Sequence, residues 1–295
     1  MTGPEQGFLL LTCQLADPER RPLTVAQFRT LAKKMAAAEK PGFDKEMEPA
    51  DLMVLGYDAD MAQRIIGLLA GKKQLREYLR RAQSCDCHPI TRLNPIYPAA
   101  LRKRLGLDSP GCLWAKGDIT LLDRPGIALV GSRDLMPANQ AFAQAAGEAA
   151  ARQGYVLVSG NARGADRQAQ DSCLACGGQV ISVVADSLQE HPLKEHVLYL
   201  SLDDFDQPFS AQRALHRNRV IHAFGIVTLV AQCSLEKGGT WSGTTQNLRH
   251  GISPVCCFDD GSEAIRALMD RGGRGIGFGE LENLAELSKT PLNFL

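Results

Sequence analysis

The chain has no surplus of either charge. Lys and Arg together number 33, and so do Asp and Glu, among 295 residues. No global basic field therefore marks a polyanion partner, and any such site has to be local. Long apolar runs are missing too. The longest stretch without Asp, Glu, Lys or Arg is residues 220–235, and it contains His222 and Gln232. That is short for a membrane-spanning helix. The apolar start, residues 7–16, follows Glu5 and no basic residue, which is a poor secretory signal. Nine cysteines cannot all pair within one chain; with no leader expected, reduced thiols and a cytoplasmic location are the expectation. Cys85-x-Cys87-His88 and Cys173-x-x-Cys176 have no second pair at structural-zinc spacing, so neither a metal nor a cofactor is expected. Gly-x-Ser-x-Gly does not occur, and the six histidines are scattered with none beside Ser132 or Ser159. That leaves both serines without an obvious local base for nucleophilic catalysis. Repeats and low-complexity segments are absent.

What is present suits a globular protein of about two domains, with 44% hydrophobic and 22% charged residues. Residues 1–85 read as a small all-helical domain, with helix starts at Thr24, Pro49 and Asp58 and apolar stripes behind them. Residues 86–118, with Pro89, Pro95, Pro98 and Pro110, read as a connector. Residues 119–272 alternate short apolar strands with helices, which predicts a mostly parallel α/β sheet with helices on both faces. Residues 273–295 read as a tail, either a loose helix or a docking arm. Charge is uneven: residues 62–104 hold ten basic and two acidic side chains. They are either a solvated helix face or a phosphate-contacting surface.

In an open α/β sheet, ligands bind beyond the carboxyl ends of the strands. Three such ends here are rich in small residues. The first strand leads into Gly131-Ser132-Arg133, and the second into Ser159-Gly160-Asn161-Ala162-Arg163-Gly164. A third strand, predicted over 226–231, is followed by Gly238-Gly239-Thr240-Trp241-Ser242-Gly243-Thr244 before a helix predicted over 244–249. Glycine lets backbone approach a ligand, arginine grips phosphate in a fork, and helix N-termini favour anions. His216-Arg217-Asn218-Arg219 lies in a predicted helix; it is either a solvated basic turn or a ligand grip. Trp241 is either packing or a base-stacking platform. Phe209 and Phe224 read as core. Asp166 reads as a cap or as an orienter of Arg163.

These pieces, in this order and spacing, resemble the DprA/Smf family of bacterial DNA-processing proteins. The segment from Ile90-Thr91 to Tyr97-Pro98-Ala99-Ala100-Leu101 resembles the family's approach to its Rossmann domain. The resemblance is close over residues 88–260 and faint over 50–85, where the family carries a domain of the sterile-alpha-motif or helix-hairpin-helix kind. It implies an extended Rossmann fold that binds single-stranded DNA without cutting it, in DNA processing, recombination or natural transformation. It also implies a homodimer that helps load a RecA-type recombinase. By matching position, Gly131, Ser132, Arg133, Ser159, Gly160, Arg163, Gly164, Arg217, Asn218 and Arg219 would form the DNA pocket. Gly239, Thr240, Trp241, Ser242 and Thr244 would add a third wall. The chain is identified as a short, divergent member: Asn161 and Ala165 stand where the family usually has Leu and Ile, Gln170 replaces a histidine, and only about 23 residues follow Gly272, too few for a winged-helix domain.

Two other readings use the same loops. One is a nucleotide-sensing domain that signals to a partner. The other is a phosphoribohydrolase of the related LOG group, whose Pro-Gly-Gly-x-Gly-Thr-x-x-Glu loop is similar to Gly238-Gly239-Thr240. Its glutamate position falls on Asn247, and an amide cannot act as a general acid or base.

Overall fold

The computed structural model describes residues 1–38 and 47–289; the last residues of the expected tail, 290–295, lie outside that range. The chain divides into two compact units, residues 1–85 and 86–295.

The first unit is all-helical: α1 (Gly3–Thr12), α2 (Val25–Ala37), α3 (Pro49–Val54), α4 (Ala59–Ala70) and α5 (Lys72–Ser84). Local chemistry starts these helices. Thr2 and Thr24 each form a reciprocal capping box, with Glu5 and Gln27, and Asp58 accepts from the Met61 N–H. Leu11, Leu23, Leu31, Leu52, Ala62, Ile65 and Leu68 form its core.

The second unit opens with β1 (His88–Thr91), α6 (Ala99–Leu105) and β2 (Cys112–Gly117). Residues 86–118 are therefore not a linker, because they supply two strands to the sheet. The unit continues with β3 (Gly126–Val130), α7 (Pro137–Arg152), β4 (Val156–Ser159), α8 (Ala165–Ala175), β5 (Gln179–Val183) and β6 (Val197–Ser201). Then come α9 (Ala211–Phe224), β7 (Gly225–Val230), α10 (Gly238–His250), β8 (Val255–Phe258), α11 (Glu263–Met269), β9 (Arg274–Ile276) and α12 (Leu284–Leu287). The strand order is β1-β2-β6-β5-β4-β3-β7-β8-β9. The pairs β1–β2 and β2–β6 are antiparallel and all the others parallel. This is the expected mostly parallel, Rossmann-like α/β architecture.

The expected tail is a further departure. Residues 274–276 add a parallel strand beside β8, and α12 follows it. Gln153 holds the α12 segment by donating to the Leu281 carbonyl (2.7 Å) and accepting from the Leu284 N–H (2.9 Å). No helix of the described residues is long and apolar enough to cross a membrane.

A polar cluster lies in the core between α9, α10 and β7. The His222 ring nitrogen Nδ1 is 3.1 Å from the Thr228 hydroxyl, which is 2.8 Å from the Ser253 hydroxyl. Asn247 donates to the Ser253 hydroxyl (3.0 Å) and accepts from the Ser253 N–H (2.8 Å). All four residues are buried.

The topology fixes where a ligand can sit. From β3 the chain winds outward through β4, β5 and β6, then returns to place β7 on the other side of β3. The order reverses between β3 and β7, and a crevice opens beyond the carboxyl ends at such a switch point.

Candidate phosphate site at the switch point

Small residues let two helices start against the end of β3. A Cβ on Gly131 would overlap the Ala165 methyl and lie 3.3 Å from that of Ala231. Gly164 has φ +86°, and a Cβ there would strike the Ser132 and Arg133 carbonyl oxygens. With glycine in place, the Ala165 N–H donates to the Ser132 carbonyl at 3.1 Å. From the other side, the Thr240 hydroxyl donates to the Gly131 carbonyl at 2.8 Å. The first turns of α8 and α10 thus converge on Gly131. Neither N-cap residue, Gly164 or Lys237, caps its helix with a side chain, so the positive ends of both helices face the crevice.

Arg217, from α9, supplies the cation. It is 7% exposed. Its guanidinium lies directly on the Cα of Gly160, where a Cβ would overlap Cζ and both terminal nitrogens. Nε and Nη1 are buried and have no hydrogen-bond partner. Burial pulls the pKa of Arg217 down, while the charges of Asp166 and Asp186 hold it up. The Asp166 carboxylate accepts from the N–H groups of Gly160 (3.1 Å) and Ala162 (3.2 Å) and so shapes the loop beneath the guanidinium. Burial pushes the Asp166 carboxyl up, against the charge of Arg217 and those two N–H groups. Asp166 thus orients a loop under Arg217; Arg163 instead pairs with Asp134 at 2.7 Å on the surface.

The structure sorts the remaining expected residues. Asn218 donates to the Gly239 carbonyl at 3.0 Å and ties α9 to the start of α10. Arg219 meets the His216 ring at 2.9 Å, and its Nε is buried without a partner. Burial, then the Arg219 charge, pulls the His216 pKa down, which favours a neutral ring that accepts from Arg219. Arg133 is exposed, and the half-buried Ser132 hydroxyl accepts from the Asp134 N–H at 3.3 Å. Ser242 is half-buried in α10.

Three expected side chains point elsewhere. The buried Ser159 hydroxyl accepts from Gln170 at 2.5 Å, and Gln170 also donates to the Ser182 hydroxyl at 3.2 Å. Gln170 thus bridges two strands below the crevice. Helix α10 begins at Gly238, six residues before the expected start, so Trp241 and Thr244 lie in its first two turns and face inward. Trp241 is 9% exposed and belongs to the main apolar core, with the Arg271 guanidinium 5.1 Å from its ring. Thr244 is buried with its hydroxyl unpartnered. Phe209 is exposed in the loop before α9, whereas Phe224 is core.

Asp186 and His191 lie outside the expected set of site residues. Asp186 leaves the carboxyl end of β5, and its carboxylate is 2.8 Å from the His191 Nε2. That hydrogen bond holds Asp186 below the usual carboxylate range. The rule that strand ends carry function could have found it. Among the described residues, no group of three or more His, Cys, Asp or Glu side chains could hold a metal ion. Burial pushes the Cys173 thiol up to about 11, where it is a poor nucleophile or ligand.

Comparison with known proteins follows the same outline. The family described as DNA recombination-mediator protein A matches residues 88–256. The DNA processing protein DprA of Bacillus subtilis is 28% identical over 212 residues, which cover 66% of this chain and 69% of that protein. Protein Smf of Escherichia coli is 27% identical over 225 residues, 72% of this chain, and the match spans 56% of that longer protein. DprA from Streptococcus pneumoniae superposes with a TM-score of 0.71 at 21% identity, covering 90% of this chain and 93% of that one. DprA from Helicobacter pylori, described by its single-stranded DNA binding mode, superposes at 0.56 with 22% identity, over 68% of this chain and 95% of that one. With that family match covering more than half of its length, the chain belongs to the DNA recombination-mediator protein A family, the DprA/Smf proteins.

Proposed function

We propose that this protein binds single-stranded DNA by its phosphates at the β3–β7 switch point and does not cut it. One observation carries the reading. Six buried side-chain nitrogen or oxygen atoms among the described residues lack a hydrogen-bond partner, and three of them are guanidinium nitrogens of Arg217 and Arg219. Buried donors left unmade cost about 1–3 kcal/mol each, more when charged. The Arg217 donors, orphaned over Gly160 at the crevice where two helices start without side-chain caps, call for an anion. The relative from Helicobacter pylori, described as a single-strand binder, supports a strand as that anion.

The site offers little for hydrolysis. The Ser159 hydroxyl is engaged by Gln170, and Asn247, at the position of the glutamate in the phosphoribohydrolase loop, is locked onto Ser253. The reading extends to a homodimer and to delivery of the strand to a RecA-type recombinase. Light scattering and co-purification with such a recombinase check those two points.

Fluorescence anisotropy of a labelled oligonucleotide over a salt series, with duplex and mononucleotide competitors, tests the proposal. Salt-sensitive binding that neither competitor displaces supports it. A mononucleotide that stabilises the fold while the strand fails to bind replaces it with the nucleotide-sensing reading.

Three variants refine the test. Gly160→Ala displaces the Arg217 guanidinium and should weaken strand binding about tenfold, the equivalent of one misplaced charged hydrogen bond. A parent-like affinity would detach Arg217 from the ligand. Arg133→Ala combined with Arg163→Ala removes two exposed cations and should flatten the slope of log K against log salt by about 1.4; an unchanged slope removes both from the DNA path. Trp241→Phe should leave strand affinity within about twofold, because the indole faces the core. A larger loss would restore a stacking role.

A further inference from the structure

The basic stretch 62–104 is sorted by the structure into two kinds of side chain. Several hold backbone. Arg92 donates to the Gly106 carbonyl, Arg102 to those of Arg92 and Asn94, and Arg104 to those of Ala223 and Gly225 at the end of α9. In the helical unit, Arg64 donates to the Arg21 and Pro22 carbonyls, Arg20 to Leu10 and Leu68, and Lys34 to Leu55. These side chains stabilise loops and helix ends.

Helix α5 is different. Its inner side is Leu75, Tyr78 and Ala82, all buried. Lys72, Lys73, Arg76, Arg80 and Arg81 are all exposed, against one exposed acid, Glu77. Lys73 lies 4.0 Å from Glu77, and the Arg81 guanidinium lies 5.1 Å from the Tyr78 ring. Lys72, Arg76 and Arg80 recur every four residues, a row along one face with a rise of about 6 Å per step. Like charges at this spacing weaken a helix, so helix stability does not account for setting Arg76 against Arg80. A lipid surface is a poor match, since an interfacial helix needs an exposed apolar side and that of α5 is buried. A row of cations at regular rise suits a regularly charged polymer.

We propose that the exposed face of α5 is a second, sequence-independent contact surface for the phosphodiester backbone of a DNA strand. It acts independently of the Arg217 pocket. The test is the full-length double variant Arg76→Glu with Arg80→Glu, checked for unaltered thermal unfolding, against a single strand of about 40 nucleotides over a salt series. Affinity at low salt should fall tenfold or more, and the slope of log K against log salt should flatten by at least about 1.4. A matched reversal at Arg21 and Lys33, exposed cations of the same unit, should leave affinity within about threefold. Parent-like affinity and slope in the α5 variant, or an equal loss in the matched control, would overturn the proposal. Arg217→Met separates the two surfaces. If it binds like the parent while the α5 variant does not, the pocket reading fails and this one stands.

Discussion

Replacing Arg217 with methionine should remove tight binding of a single strand and leave the fold almost unchanged. Methionine matches the length and packing of the arginine stem without the charge. In the parent, Nε and Nη1 are buried without a hydrogen-bond partner, and the charges of Asp166 and Asp186 offset part of the desolvation; removing the cation relieves the one and forfeits the other. Asp166 keeps the Gly160 and Ala162 N–H groups after the change. Urea unfolding should therefore shift by no more than about 1 kcal/mol. Binding is another matter. Two charge-assisted hydrogen bonds at about 1.5 kcal/mol or more each correspond to at least a hundredfold loss of affinity. Arg217→Lys should recover little, because a point charge cannot reproduce the fork against Gly160. Parent-like affinity in the methionine variant would refute the pocket.

The second large effect concerns stability and pH. His222 is buried, and its pKa is pulled down to about 4 by burial, from an ordinary 6.5. The native state refuses the proton in that interval while the unfolded chain accepts it. Stability is therefore greatest above about pH 6.5 and falls as the pH drops towards 4. The full contribution is about 3 kcal/mol, of which about 2 kcal/mol is lost between pH 7.5 and 5. Urea midpoints at several pH values report it, and the other histidines are cancelled by comparison with His222→Gln, which keeps a polar group beside Thr228. The parent should lose about 2 kcal/mol more than the variant across this interval. Parallel pH profiles would show that His222 takes its proton in the folded state.

How much of this was legible in the sequence depends on which physical signal each element carries. The alternating apolar strands and helices of 119–272 were readable because a parallel sheet buried on both faces demands near-continuous hydrophobic runs. The crevice was readable at Gly131 and Gly164, where only glycine permits the close approach. Arg217 could be named, but its burial could not, since His216-Arg217-Asn218-Arg219 looks like a solvated turn until α9 is laid against Gly160. Pro89 and its neighbours hid β1; an edge strand tolerates proline because one side is unpaired. β9 was missed because three residues give no periodicity. Two glycines masked the start of α10, glycine being a poor helix former, and that displaced start misdirected Trp241 and Thr244. Ser159 stands at a strand end as expected, but Gln170 draws its hydroxyl down.

The sheet's winding has a consequence for how the protein is made. When β3 to β6 have left the ribosome, β3 still exposes one whole edge, and its neighbour β7 begins at Gly225, about 95 residues later in the chain. At about 5–20 residues per second that edge waits for roughly 5–20 seconds. An unpaired, fully apolar strand edge is a template for wrong partners, and long-range parallel pairing is slow once its partner arrives. The nascent chain is therefore most vulnerable to misassembly in this interval, when holdase chaperones would find most to grip. The crevice at Gly131 is also among the last features to take shape, so nothing can be bound there until most of the chain has been synthesised.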